Sequence, residues 1–147
     1  MAQKTGVFPV YENQFQVNKG TTEIENFVNI ADMESFSVSF DNGVEEWKPF
    51  DHQGWTRRLM TAKSITISVS GKRNVGDAGN DYIAGLAFKN GRDAEADFQW
   101  TFPDGTKVKF KDAVLNIKDF IAGDSTGVAP LSFDLMSNGK PEVVAAG

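Results

Sequence analysis

Between Ala94 and Lys111 apolar and polar side chains alternate with period two on both sides of a Pro103-Asp104-Gly105 turn, and this pattern restricts the fold more than any other stretch. Ala96, Phe98, Trp100 and Phe102 fall on one side of the first arm, and Gly105 can take the positive φ that a tight connection needs. Pairing Phe102 with Thr106 sets Trp100 against Val108 and Phe98 against Phe110 on one face. The other face then holds Asp97 against Lys111 and Thr101 against Lys107. A slip of one residue would exchange the apolar and charged faces, so the pattern predicts a hairpin in this register.

The same period recurs elsewhere. Glu34 to Asp41 places Phe36, Val38 and Phe40 against Ser35, Ser37, Ser39 and Asp41, and Lys63 to Lys72 places Ile65, Ile67 and Val69 against Ser64, Thr66, Ser68 and Ser70. Thr22 to Ile30 alternates less cleanly, with Asn26 and Phe27 out of step. After Asp112 the apolar phase flips to Ala113, Leu115 and Ile117, which predicts a bulge or break. Leu131, Phe133 and Leu135 supply a further strand between Pro130 and Asn138-Gly139. Residues 77–89 read as the helix: Asp77 or Asn80 can cap it, Asp81 suits the positive end of its dipole, and Tyr82, Ile83, Leu86 and Ala87 form its apolar stripe. The expected fold is mainly β, a β-sandwich or barrel of about seven strands with one flanking short α-helix.

The 147 residues, 40% hydrophobic, fit a single domain with a core of its own. Residues 1–13, with Gly6 and Pro9 among Val7, Phe8, Val10 and Tyr11, suit an extended N-terminal arm, and residues 141–147 a flexible tail. The chain has no cysteine, which removes disulfides and thiolate chemistry and fits a reducing compartment. No apolar run approaches the roughly 20 residues needed to span a bilayer, and the N-terminus lacks a hydrophobic signal region, so a soluble chain made without export is expected. A formal charge of −5 argues against nucleic-acid binding, which depends on cations displacing counterions at phosphates.

Catalytic and metal chemistry find little support. His52 is the single histidine, with no second one for a metal site or proton relay. Gly123-Asp124-Ser125 has the look of an esterase nucleophile block but no histidine follows it, so a turn is expected. Asp77, Asn80 and Asp81 lack the spacing of a calcium loop. The glycines between Gly71 and Gly79 match no phosphate-binding fingerprint. Glu45 and Glu46 are adjacent, and adjacent strand residues point to opposite faces, a poor arrangement for an acid/base pair. The chain reads as a non-enzyme without cofactors or metal.

Residues 42–62 form a connection longer than compact domains usually tolerate. Trp47, Phe50, Trp55, Leu59 and Met60 would each forfeit about 1.5 to 3 kcal/mol if left in water. Either they cap the domain's own sheets, or they pack on a neighbouring subunit with Glu45, Glu46, Asp51, Arg57 and Arg58 at the rim. Composition does not separate these readings.

Trp47-Lys48-Pro49, Gly54-Trp55-Thr56-Arg57-Arg58-Leu59, Thr61-Ala62-Lys63, Gly71-Lys72-Arg73, Gly76-Asp77 and Gly79-Asn80-Asp81, followed by Trp100 to Gly105 and Gly123-Asp124-Ser125, resemble the major tail tube proteins of bacteriophages. The likeness is nearest to long-tailed phages and prophages of Gram-positive hosts and covers most of residues 1 to 140. It implies a fold shared with the type VI secretion tube protein, hexameric rings stacked into a hollow tube, and genome DNA passing through the lumen without specific binding. It also implies a place in the virion tail, assembly in the host cytoplasm, and tape measure, tail terminator and distal tail proteins as partners, with no membrane. On this resemblance the 42–62 loop reaches the next ring through Trp47, Phe50, Trp55, Arg57, Arg58 and Leu59, and the arm adds Phe8 and Tyr11.

Six acidic copies make a bore that repels phosphate, so a Ser/Thr face is expected to line it: Ser37, Ser39, Asp41, Thr66 and Ser68. A bore dominated by Lys107, Lys109 and Lys111 would contradict this. Two other readings stay open, a monomeric β-sandwich that binds a carbohydrate or receptor through Trp47 and Trp55, and a distal or baseplate ring protein that does not stack.

Overall fold

Strand pairing carries nearly the whole chain. The computed structural model describes residues 5–21 and 23–145, and among them eight strands form one antiparallel sheet: β1 (Gln14–Asn18), β2 (Phe27–Asn29), β3 (Met33–Trp47), β4 (Arg57–Lys72), β5 (Glu95–Thr101), β6 (Lys107–Phe120), β7 (Pro130–Met136) and β8 (Glu142–Val144). The order is β2-β1-β5-β6-β7-β4-β3, with β8 beside the first part of β6.

The β5–β6 hairpin has the expected register, with Trp100 opposite Val108, Phe98 opposite Phe110 and Thr101 opposite Lys107. Phe102 and Thr106 close it through a 2.7 Å N–H···O bond. The expected Asp97–Lys111 pair does not form, because the ladder shifts between Ala96 and Phe98. Asp112 takes φ +53°, and its N–H donates to the Asp97 carboxylate at 3.0 Å. This bulge is the physical form of the phase flip: beyond it Ala113 and Leu115 turn to the core.

The sheet rolls until its ends meet. Phe15 of β1 packs edge-on against Phe36 of β3 with ring centroids 4.7 Å apart, and Trp100 of β5 joins them at 5.8 Å from Phe36. The enclosed core holds Val17, Ile67, Phe98, Leu131, Phe133 and Leu135, with Ile83 of the helix α1 (Ala78–Gly85). Asp77 caps α1 by accepting from the Asn80 N–H at 3.0 Å. Gly79 lies so close to β2 that a Cβ there would meet the Asn29 carbonyl oxygen at 2.1 Å, which explains one of the glycines between Gly71 and Gly79 by packing.

Five boundaries differ from expectation. The first strand, β1, was not anticipated; Phe15 and Val17 alternate with Gln14, Gln16 and Asn18, but only over its five residues. Strand 22–30 shrinks to Phe27–Asn29, since the Asn18 side chain accepts from the N–H groups of Gly20 and Asn26 and folds the segment before it into a turn. Thr22 itself lies outside the described residues. The helix stops at Gly85 rather than Lys89, because Leu86, Ala87 and Lys89 each donate three residues back, a tighter winding than the α-helix. Residues 141–147 are no simple tail: β8 pairs Val143 with Val108 and Glu142 with Lys109, although residues 146 and 147 lie outside the described range. The long loop is the largest correction. Residues 42–47 extend β3 and residues 57–62 begin β4, leaving 48–56 as the irregular tip of a hairpin.

Candidate assembly surface

The β3–β4 hairpin outruns the sheet that holds it. β7 pairs with β4 only from Thr66 to Lys72, and Ser137 secures the boundary by bonding the N–H and C=O of Ile65 at 2.9 Å each. Beyond Ile65, among the described residues, the two strands pair only with each other, from Asp41 opposite Ser64 to Trp47 opposite Arg57. Thr61 is an extra residue in β4, since Gly43 pairs with Ala62 while Val44 pairs with Met60. The result is a two-stranded ribbon with both faces outside the core.

Its large apolar side chains are uncovered among charged neighbours. Phe50 is fully exposed at the tip, Trp55 is 78% exposed, and Leu59 is 59% exposed opposite Glu45. Trp47 is partly covered by the Arg57 guanidinium, 5.9 Å from its ring centroid. Arg58 bonds Glu46 across the ribbon, which fixes both charges without shielding the aromatics. Glu45 and Glu46 therefore point to opposite faces, as the pleat requires. His52 sits at the tip with its Nδ1 2.9 Å from the Asp51 carboxylate. Phe50 and Trp55 do not cap the domain's own sheets, at 106% and 78% exposure, whereas Trp47 and Met60 are more than half covered.

The arm residues lie elsewhere. Val10–Glu12 form a 3-10 turn, Tyr11 is exposed and Phe8 half-buried. Val10 and Tyr11 edge a cleft between β1 and the start of β3, together with Met33 and Phe36. The ribbon tip is at the other end of β3. The structure thus unites Trp47, Phe50, Trp55, Arg57, Arg58 and Leu59 on one ribbon but not with Phe8 and Tyr11.

A second surface gathers small polar groups. Ser37 opposes Ser68, Ser39 opposes Thr66 and Asp41 opposes Ser64, so all five expected residues share one face of β3 and β4. That face continues onto β7 and β6 through Ser132, Asp134 and Asn116. Ser35 and Ser70 hydroxyls meet at 2.8 Å, and the Ser68 hydroxyl donates to Asp134 at 2.7 Å. Lys118 approaches the other Asp134 oxygen at 3.7 Å. Sequence reasoning missed Ser132 and Asp134, although the alternation of Leu131, Phe133 and Leu135 already placed them on the outer face. Lys107 and Lys109 lie on the first half of β6, between β5 and β8, and Lys111 lies at its bulge, all apart from this Ser/Thr face.

The remaining sequence candidates have structural roles. Gly123-Asp124-Ser125 lies in the β6–β7 connection, where the Asp124 carbonyl accepts from the Gly127 N–H at 2.9 Å. Asp81 accepts from Arg73 at 2.8 Å and from the Gly76 N–H, and these bonds, Arg73 first, hold its carboxyl below the usual range.

No family model and no curated protein sequence matches the chain. Among solved structures it is similar to a chain from the tail of an empty gene transfer agent particle, refined helically with C6 symmetry: 23% identity, TM-score 0.71, covering 95% of this chain and 100% of the other. A chain from the virion of the native gene transfer agent particle gives 21% identity and TM-score 0.69, covering 95% and 100%. A chain from the tube-terminating cap of the anti-feeding prophage gives 14% identity and TM-score 0.60, covering 97% and 94%. The fold is shared with these tail components along nearly the whole chain.

Proposed function

We propose that this chain is a structural subunit of a phage tail tube, forming hexameric rings that stack into a hollow conduit for genome DNA. The observation that carries the proposal is the ribbon: a paired hairpin that leaves its own domain and presents Phe50, Trp55 and Leu59 to solvent. Exposed aromatics of this size, rimmed by Glu45, Asp51 and Lys48, fit a protein–protein contact. The fold shared with a C6-symmetric tail supports the ring, and the sequence resemblance points to a long-tailed phage or prophage of a Gram-positive host. Trp47, Phe50, Trp55, Arg57, Arg58 and Leu59 form the intersubunit contact, with Phe8 and Tyr11 contributing from the arm. Ser37, Ser39, Asp41, Thr66 and Ser68 face the bore, where a neutral to acidic Ser/Thr surface lets phosphate pass. Tape measure, terminator and distal tail proteins are its other partners, and the virion tail its location.

A second reading, a ring that closes a tail end without stacking, is favoured by the likeness to the prophage cap chain. Electron microscopy of the purified protein at rising concentration separates the two. Long tubes support the tube subunit, isolated rings the terminal protein, and monomers at every concentration overturn both.

A further inference from the structure

At the foot of the ribbon lies a groove of about 500 Å³ whose walls are Phe40 and Ile65 on one side and Pro141 and Val143 on the other, with Lys63 and Lys140 among its lining residues. No described residue fills it, and Phe40 and Val143 remain more than half exposed. Lys63 donates to Asn42 at 3.2 Å, and among the described residues neither lysine takes part in an ion pair. No acid lines the groove. It is an apolar slot with two lysines outside any ion pair among the described residues, Lys63 lying 5.9 Å from the centroid of the Phe40 ring.

The ribbon tip has the opposite character. Phe50 projects fully into solvent, and Asp51 beside it has a side chain 80% exposed. The tip cannot reach the groove of its own chain. The paired residues from Asp41 to Trp47 hold it about 20 Å from the ribbon's base, over six steps of roughly 3.3 Å each.

We infer that the groove receives the ribbon tip of another copy, with Phe50 seated between Phe40, Ile65, Pro141 and Val143, and Asp51 meeting Lys63 and Lys140. This rests on the tube-subunit reading and specifies its contact. Such a contact is head-to-tail: every copy donates one tip and receives one, so the interaction propagates from copy to copy instead of ending at a dimer. Phe50 supplies the apolar anchor and the acid–lysine pairing selects the orientation.

Because the chain has no cysteine, two single variants test the contact cleanly. Lys48→Cys marks the tip and Val143→Cys the groove. Mixed and treated with a short bifunctional thiol reagent under assembly conditions, they should give a tip-to-groove linked dimer, identified by peptide mapping. Lys63→Glu with Lys140→Glu in the groove variant should raise the concentration for half-maximal linking about tenfold or more. Adding Asp51→Lys to the tip variant should restore it. Tubes that assemble without tip-to-groove linking overturn this contact and leave the tube reading standing, as does linking indifferent to the charge reversals. If neither tubes nor linked dimers form at any concentration, both readings fall. A single chain carrying both cysteines that links only within itself also overturns the contact.

Discussion

Asn80 shows how one side chain can fix a whole junction. It is fully buried, and its amide oxygen accepts from Arg73 at 2.8 Å and from the Asn74 N–H at 3.0 Å, while its nitrogen donates to the carbonyls of Ala31 and Lys72. Those partners belong to the end of β4, the connection that follows it and the turn before β3, so Asn80, itself in the first turn of α1, ties these segments to the helix. Replacing it with alanine should cost about 3 kcal/mol in urea unfolding at concentrations below assembly, since buried partners lose their bonds without regaining water. Asn80→Asp should also destabilise, because a carboxylate would face the Ala31 and Lys72 carbonyls. The neighbouring Asp81 sets an acid limit. Its carboxyl is held low by Arg73 and the Gly76 N–H, so its contribution is complete above the unfolded value of about 3.9 and is lost as pH falls through the lower folded value. Asp81→Asn should therefore differ most from the natural protein near pH 6 and begin to approach it only as the pH falls below the unfolded value of about 3.9, followed as urea midpoints.

At the level of elements, what could be read from the sequence depended on whether a strand had a core to alternate against. Phe98, Trp100, Val108 and Phe110 state the register of their hairpin because one face is buried and the other wet. Glu45, Glu46, Trp47, Arg57, Arg58 and Leu59 form an equally regular ladder, but both faces leave the domain, so no alternation marks them and the segment reads as a loop. The same absence of a burial pattern that hides the strand leaves its large apolar side chains uncovered. β1 was hidden by brevity, and the turn after Asn18 by side-chain bonds that compete with the ladder. The Ser/Thr face was legible on β3 and β4, whereas its extension to Asp134 needed the β4–β7 register. For the ribbon itself, a Trp47→Ala, Trp55→Ala double variant should remain folded by circular dichroism and fail to form tubes, because Trp47 is 43% and Trp55 78% exposed in the free chain and neither belongs to the core. Tubes of normal length and stability would remove these residues from the interface.

For the molecule as a whole, the proposed tube assigns separate roles to two surfaces. The Ser/Thr face should make an indifferent wall for DNA. Tubes of the natural protein should hold no DNA at moderate salt, whereas a Ser37→Lys, Ser39→Lys, Thr66→Lys variant should retain it with an affinity that falls steeply as salt rises, measured by co-sedimentation. Assembled variant tubes that ignore DNA would show that this face does not line the bore. The ribbon has a kinetic consequence. Two strands without a third are only marginally stable in water, so in the free chain the amides of residues 44–60 should exchange with solvent far faster than those of β4 beyond Thr66. Association would then have to order the ribbon as well as bury it, a cost borne mainly by the first contacts, before a preformed end exists to template the next copy. Growth should accordingly show a lag that seeds of preassembled tube abolish, and amide protection along residues 44–60 should appear together with light scattering, not before it.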